Sequence, residues 1–177
     1  MKVNLCCGDD YRKDYINVDF SNKRSDGKEI NVDMVHNVLE GLPFKDGEVD
    51  SIVFNEALEH FNRWNGQKVL KEIARVLKKG GILDLSVPNA KDQLQKLAAR
   101  FDDELNEESF ERAHQEWNYW KWHDDLMGGT RPSDGYDGDS HKTLYSTSAL
   151  RSCIGMAGLK VVRVSVESSI FIRAIKA

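Results

Sequence analysis

VNLCCGDDYRKDYINVDF, residues 3–20, decides how this chain is read. A short apolar run from Val3 meets Gly8 among small and acidic residues, and a second run from Tyr15 ends in Asp19. In an open α/β sheet, ligands bind beyond the carboxyl ends of strands, where the chain order reverses. A glycine after the first strand lets the backbone approach a ligand that a Cβ would push away. A carboxylate at Asp19 can accept both hydroxyls of a ribose. The same residues also fit a plain strand, turn and strand, with Asp19 capping the next turn. The dinucleotide fingerprint G-x-G-x-x-G is missing, and six residues between Gly8 and Tyr15 leave no room for a helix to face a pyrophosphate. No Walker-type lysine follows either. If a cofactor sits here, it is a nucleoside without phosphates.

The 177 residues suit one domain that buries about 70% of its unfolded surface. An apolar fraction of 40% and a charged fraction of 31% describe a globular chain. With 25 basic and 29 acidic residues the formal charge is −4, and no polybasic block points to nucleic acid. Cys6, Cys7 and Cys153 form no CxxC pair and no Cys/His cluster at zinc spacing, so reduced thiols are expected. Without an apolar leader or a run of transmembrane length, the expectation is a cytoplasmic protein that does not enter a membrane.

Working outward, Lys2–Cys6 and Tyr15–Asp19 read as strands, and Val32, Met34, Val35 and Val38 suggest a third, buried one. Asp50–Asn55 is a compact apolar strand of the kind a parallel sheet buries on both faces. Val69, Leu70, Ile73, Val76 and Leu77 share a helix face. Lys78 and Lys79 suit the negative end of that helix, with Gly80-Gly81 stopping it. A strand over 82–87 ends at Pro88, and a second helix carries Leu94, Leu97, Ala98, Phe101 and Leu105. Residues 106–140 read as a helical, aromatic insertion with Trp117, Tyr119, Trp120 and Trp122, then a glycine-rich lid. Ser146 caps a third helix bearing Leu150, Cys153, Ile154 and Ala157, which Gly158 closes. Strands over 159–166 and 169–175 finish the chain as a hairpin. This order favours a mostly parallel sheet with helices on its faces.

Several motifs in sequence order carry a resemblance. Val3-Asn4-Leu5-Cys6-Cys7-Gly8 is similar to L-N-L-G-C-G, and Asp14-Tyr15-Ile16-Asn17-Val18-Asp19 to G-W-I-N-V-D. Leu42-Pro43-Phe44-Lys45-Asp46 through Asp50 matches L-P-F-x-D-x-x-x-D, and Leu58-Glu59-His60 follows the next strand. Glu72–Gly81, Leu83–Asn89 and His141 through Leu159 continue the pattern. In these the chain resembles the small class I S-adenosylmethionine-dependent methyltransferases of the type 11 group, over nearly its whole length apart from 90–140. The resemblance implies a single Rossmann-like α/β domain over 1–177, its seven-stranded sheet ending in an antiparallel strand with helices on both faces. It implies S-adenosylmethionine as cofactor, flanked by the backbone of Leu5, Cys6, Cys7 and Gly8 at the methionine part. Asp19 would hold the ribose, Phe20 would pack on the adenine, Asn37 and Val38 would address its edge, and Asn55 the amino-acid end. Cys6 stands where the motif has glycine, and Asn37 where it has aspartate. An amide at 37 gives up a charge-assisted bond to the adenine amine.

Methyl transfer from a sulfonium needs alignment and, for a protonated acceptor, a base. His60, after the strand that ends in Asn55, and His141, after the lid, are the candidates. A histidine bonded to backbone is the alternative for both. Glu59 suits an anchoring task better than that of a base. His114 and His123 lie in the insertion. Asp134, Asp137 and Asp139 lack the calcium-loop spacing, so no metal is expected. The expected activity is methyl transfer to a small molecule, a sugar or other metabolite. The alternatives are a degenerate protein that binds donor or product without turnover, and an interaction module that keeps only the fold.

Overall fold

The computed structural model describes residues 1–24, 27–104 and 141–177. The aromatic insertion and glycine-rich lid expected over 106–140 therefore lie outside the described residues. So do His114, His123 and the aspartates at 134, 137 and 139.

Seven strands form one sheet: β1 Lys2–Leu5, β2 Ile16–Asp19, β3 Met34–Val35, β4 Val49–Asn55, β5 Leu77–Pro88, β6 Leu159–Val166 and β7 Ser169–Lys176. Their order is β3-β2-β1-β4-β5-β7-β6, parallel except for β7, which runs antiparallel to both β5 and β6. The seven-stranded Rossmann-like expectation and the closing hairpin both hold. Helices are α1 Arg63–Val76, α2 Ala90–Glu104 and α3 Thr147–Met156.

Alternation along the strands builds the core. Val3 pairs in register with Ile16 and Ile52, Leu5 with Val18, and Leu83 and Leu85 with Ala174 and Ile172. These side chains join one buried cluster with Val69, Leu70, Ile73 and Val76 of α1 and Leu150 and Ile154 of α3. The two helices share that face, and Gln67 Nε2 donates to the carbonyl of Cys153 across 3.2 Å. On the opposite face Asp84 and Arg173 pair at 2.7 and 2.9 Å. There the link from β1 to β2 has no helix, and its Tyr15 ring lies 5.5 Å from Lys2 Nζ and 5.7 Å from the Arg12 guanidinium.

That link is held by buried amides. Asn17 is fully buried; its Oδ1 accepts from Arg12 N–H at 2.9 Å and from Asn4 Nδ2 at 3.1 Å. Its Nδ2 donates to the carbonyls of Arg12 and Tyr15 at 3.0 Å and to Asp33 Oδ2 at 2.7 Å. Asn4 Nδ2 also donates to the carbonyl of Asp10 at 2.6 Å. These bonds do the work a helix would do, satisfying the backbone of a ten-residue crossing.

The Leu42-Pro43-Phe44 segment is fastened to α1 by the Glu72/Arg75 pair. Arg75 donates to the carbonyls of Leu42 and Phe44 at 2.9 and 3.0 Å and to Asp46 Oδ1 at 2.7 Å. Glu72 Oε2 accepts from Leu42 N–H at 3.0 Å, and the Arg75 guanidinium holds its carboxyl below the usual range.

Three expectations are corrected. The strand around Val32–Val38 is reduced to Met34–Val35 at the sheet edge, with Val35 58% exposed; Val38 enters the core from a 3-10 turn, Val38–Glu40. The first helix starts at Arg63, where Asn62 Oδ1 accepts from Trp64 and Asn65 N–H, and stops at Val76 instead of at the glycines. Leu77 turns extended at φ −64°, ψ 135° to pair with Val49, so Lys78 and Lys79 belong to β5. Gly81 is needed because a Cβ there would stand 2.8 Å from the Lys78 carbonyl oxygen. In α2, Leu94 is 48% exposed and Ala98 exposed, so they do not form the core face the spacing predicts. The side chains of Leu97 and Phe101, and Leu105, fall outside the description.

No helix among the described residues is long and apolar enough to cross a membrane.

Candidate active site

The chain reverses direction across the sheet between β1 and β4: from β1 it moves toward β2 and β3, from β4 toward β5 and β7. A crevice opens at such a switch point. One residue past each strand, the backbone takes a left-handed turn on a side chain that disfavours it, Cys6 at φ 52° and Glu56 at φ 46°. No other described non-glycine residue has positive φ. Such conformations cost about 1–2 kcal/mol each and concentrate at functional sites.

After Cys6 the chain reaches Gly8, also left-handed at φ 48°, with nothing within 4 Å of the place a Cβ would take. Gly8 N–H donates to Asp19 Oδ2 at 2.9 Å, and Phe20 N–H donates to Asp19 Oδ1 at 2.8 Å. Asp19 is 6% exposed, and the Phe20 ring beside it is 54% exposed. Leu5 is fully buried and Cys7 nearly so. Burial, with Asp19 second, pushes the Cys7 thiol up to about 11. Burial first, then Asp19, Cys7 and Glu59, push the Cys6 thiol up as well. Both shifts favour the neutral thiol.

Asn37 precedes the 3-10 turn and caps it, its Oδ1 accepting from Leu39 N–H at 3.1 Å. Val38 is buried. Asn55 is half-buried at the end of β4, paired in register with Ser86. Next to it, Ser86 Oγ donates to Glu56 Oε1 at 2.7 Å.

A second group stands beyond β4. Leu58–His60 is a single 3-10 turn, and the carbonyl of Glu59 accepts from Lys142 and Thr143 N–H at 2.8 and 3.1 Å. Thr143 Oγ1 donates to the carbonyl of Phe61 at 2.8 Å. This pairing sets His141 beside His60, their rings edge-on with centroids 5.1 Å apart. Glu59 Oε1 lies 4.0 Å from His60 Nε2. Burial, with Glu56 adding, pushes the Glu59 carboxyl up to about 8. The structure thus brings together both predicted histidines and adds Glu59, to which the sequence reading had given an anchoring role. The Leu58-Glu59-His60 motif was the available signal.

Residues 5–85 match the profile of a family described as "Methyltransferase domain". Over those residues, a little under half of the chain, it is similar to that methyltransferase family. Solved structures share the fold at low identity. A SAM-dependent methyltransferase from Methanosarcina mazei is 15% identical, with a TM-score of 0.63 over 99% of this chain and 91% of that one. A complex between the Haloferax volcanii Trm112 methyltransferase activator and a methyltransferase gives 17%, 0.60, 99% and 81%. Magnesium protoporphyrin IX methyltransferase from Synechocystis, with bound SAH, gives 14%, 0.56, 100% and 74%. No curated protein sequence matches the chain.

The Methanosarcina mazei protein is SAM-dependent and the Synechocystis one holds SAH, and most of the cradle has the shape and chemistry for such a nucleoside ligand. The open space at Gly8 admits a ligand against backbone, and the Asp19 oxygens keep lone pairs beyond those used by the two amides. The exposed Phe20 ring offers an apolar face beside them. Asn37 retains one acceptor lone pair after capping Leu39. Cys6 is the least suited member, because its left-handed backbone is a glycine conformation. Replacing it relieves about 1–2 kcal/mol of strain, offset by the entropy of an unfolded glycine and the lost burial of the thiol. Cys6→Gly is therefore expected to melt within about 3 °C of the native chain. Its affinity for S-adenosylhomocysteine should rise severalfold in a calorimetric titration; unchanged affinity would show that the thiol does not crowd the ligand.

Proposed function

We propose that the chain transfers a methyl group from S-adenosylmethionine to a small-molecule acceptor, a sugar or other metabolite. The observation that carries this reading is the Asp19 carboxylate, buried and, among the described residues, tied only to backbone, beside the open left-handed turn at Gly8. Leu5–Gly8 would flank the methionine part with backbone, and Asp19 would accept from the ribose hydroxyls. Phe20 would cover the adenine, Asn37 and Val38 would meet its edge, and Asn55 would hold the amino-acid end. The sulfonium donor supplies an already activated methyl group, so alignment and proton removal are left to the protein. His60 and His141, adjacent to Glu59, would take up the acceptor proton.

Cys6 and Asn37 favour a second reading, a protein that binds donor or product without turnover. Two measurements separate them. Calorimetry is expected to give affinities on the order of micromolar for S-adenosylmethionine and S-adenosylhomocysteine. Labelled methyl groups should then appear on some member of a panel of hydroxyl and amine metabolites. Binding without any transfer would leave the second reading, and no binding at millimolar ligand would sink both.

A further inference from the structure

Glu59, His60 and His141 form a cluster that donor binding does not require. Each offers one ligand atom, and the three atoms lie within 4.8 Å of one another. The side chain of Glu59 is 3% exposed, and among the described residues its Oε2 accepts no hydrogen bond. A buried carboxylate oxygen is rarely left so, because desolvating it without a partner is costly. A purely structural glutamate would spend that oxygen on a donor; here the carboxylate as a whole stands beside two imidazoles.

We propose that Glu59, His60 and His141 bind one divalent first-row transition cation of the Zn²⁺ or Mn²⁺ type. Two imidazoles and a carboxylate suit such ions, whereas Ca²⁺ and Mg²⁺ prefer oxygen sets. Bonds of about 2.0–2.2 Å place two ligands of one ion no more than about 4.4 Å apart. The cluster therefore closes by small side-chain rotations, which the 29% exposure of His60 permits. Three protein ligands leave coordination positions open. The chemical consequence rests on the methyl-transfer reading: a cation here would bind an acceptor oxygen and lower its pKa so that its proton passes to solvent, replacing the proton uptake assigned to the imidazoles in the metal-free site. Cation binding itself does not depend on that reading.

The test is Co²⁺ titration of the metal-stripped full chain, followed by visible absorption, with Zn²⁺ as competitor. One equivalent is expected to bind on the order of micromolar. Affinity should fall about tenfold or more in Glu59→Gln and in His141→Ala. His141 is less buried than Glu59, so the second variant keeps the test valid should the buried one fail to fold. Added Zn²⁺ should raise the melting midpoint of the native chain and of neither variant. No cobalt binding, or equal affinity in native and variant chains, would overturn the proposal. S-adenosylhomocysteine titrated into the same samples reads the donor site separately, so failure of one site is not mistaken for failure of the other.

Discussion

Asp19→Ala is expected to bind S-adenosylhomocysteine about 100-fold more weakly than the native chain, measured by calorimetry at constant salt. Two hydroxyl bonds to a carboxylate contribute about 1.5–3 kcal/mol each, and a factor of ten corresponds to about 1.4 kcal/mol. The substitution also releases Gly8 N–H, which now donates to Asp19 Oδ2 at 2.9 Å, so the turn loses its tether along with the ligand's acceptor. Asp19→Asn separates the two effects. It keeps one acceptor oxygen and the side-chain shape but gives up the charge, and should fall near a tenfold loss. Equal affinity in native and Ala variants would remove Asp19 from the donor site and leave it a purely structural cap.

The second large effect is on stability. Asn17→Ala deprives the amide of Asn4, the Arg12 N–H and the carbonyls of Arg12 and Tyr15 of a partner at a fully buried position. Each buried group left unsatisfied costs about 1–3 kcal/mol, and partial relaxation brings the expected total to about 3–4 kcal/mol. For a chain of this size that lowers the melting midpoint by about 10 °C. The loss should shrink in acid. The backbone and side-chain amides of Asn17 hold the Asp33 carboxyl below its usual value, so this stabilisation is present above the unfolded value of about 3.9 and fades as pH falls through the folded one. Melting curves at neutral pH and at about pH 3 test both claims. An unchanged midpoint at neutral pH would show that the link does not need the amide.

Much of the architecture was legible because it rests on local chemistry. Short apolar runs mark β1, β2, β4, β6 and β7, and Ser146 and Gly158 bound α3 as cap and left-handed stop. Misreadings arose where two local patterns competed. Lys78-Lys79-Gly80-Gly81 reads as a helix end, yet pairing of Leu77 with Val49 draws the chain into β5 first. Val35 looks like core, but β3 is a two-residue edge strand and leaves it in solvent.

The site divides in the same way. The glycine after the first strand and the aspartate ending the second are readable because each answers to its own strand's end. The role of Asn17 is not, since a polar residue inside a strand has meaning only once Arg12, Tyr15 and Asp33 converge on it. Nor could spacing show that His60 and His141 meet. That proximity depends on backbone bonds between Glu59 and residues 142 and 143. Local patterning settles which residues are strands, caps and turns, because it acts through the chain's own neighbours. Which polar groups share a crevice was left to the closure of the fold, since a distance between remote residues is the sum of many local geometries and no single pattern encodes it.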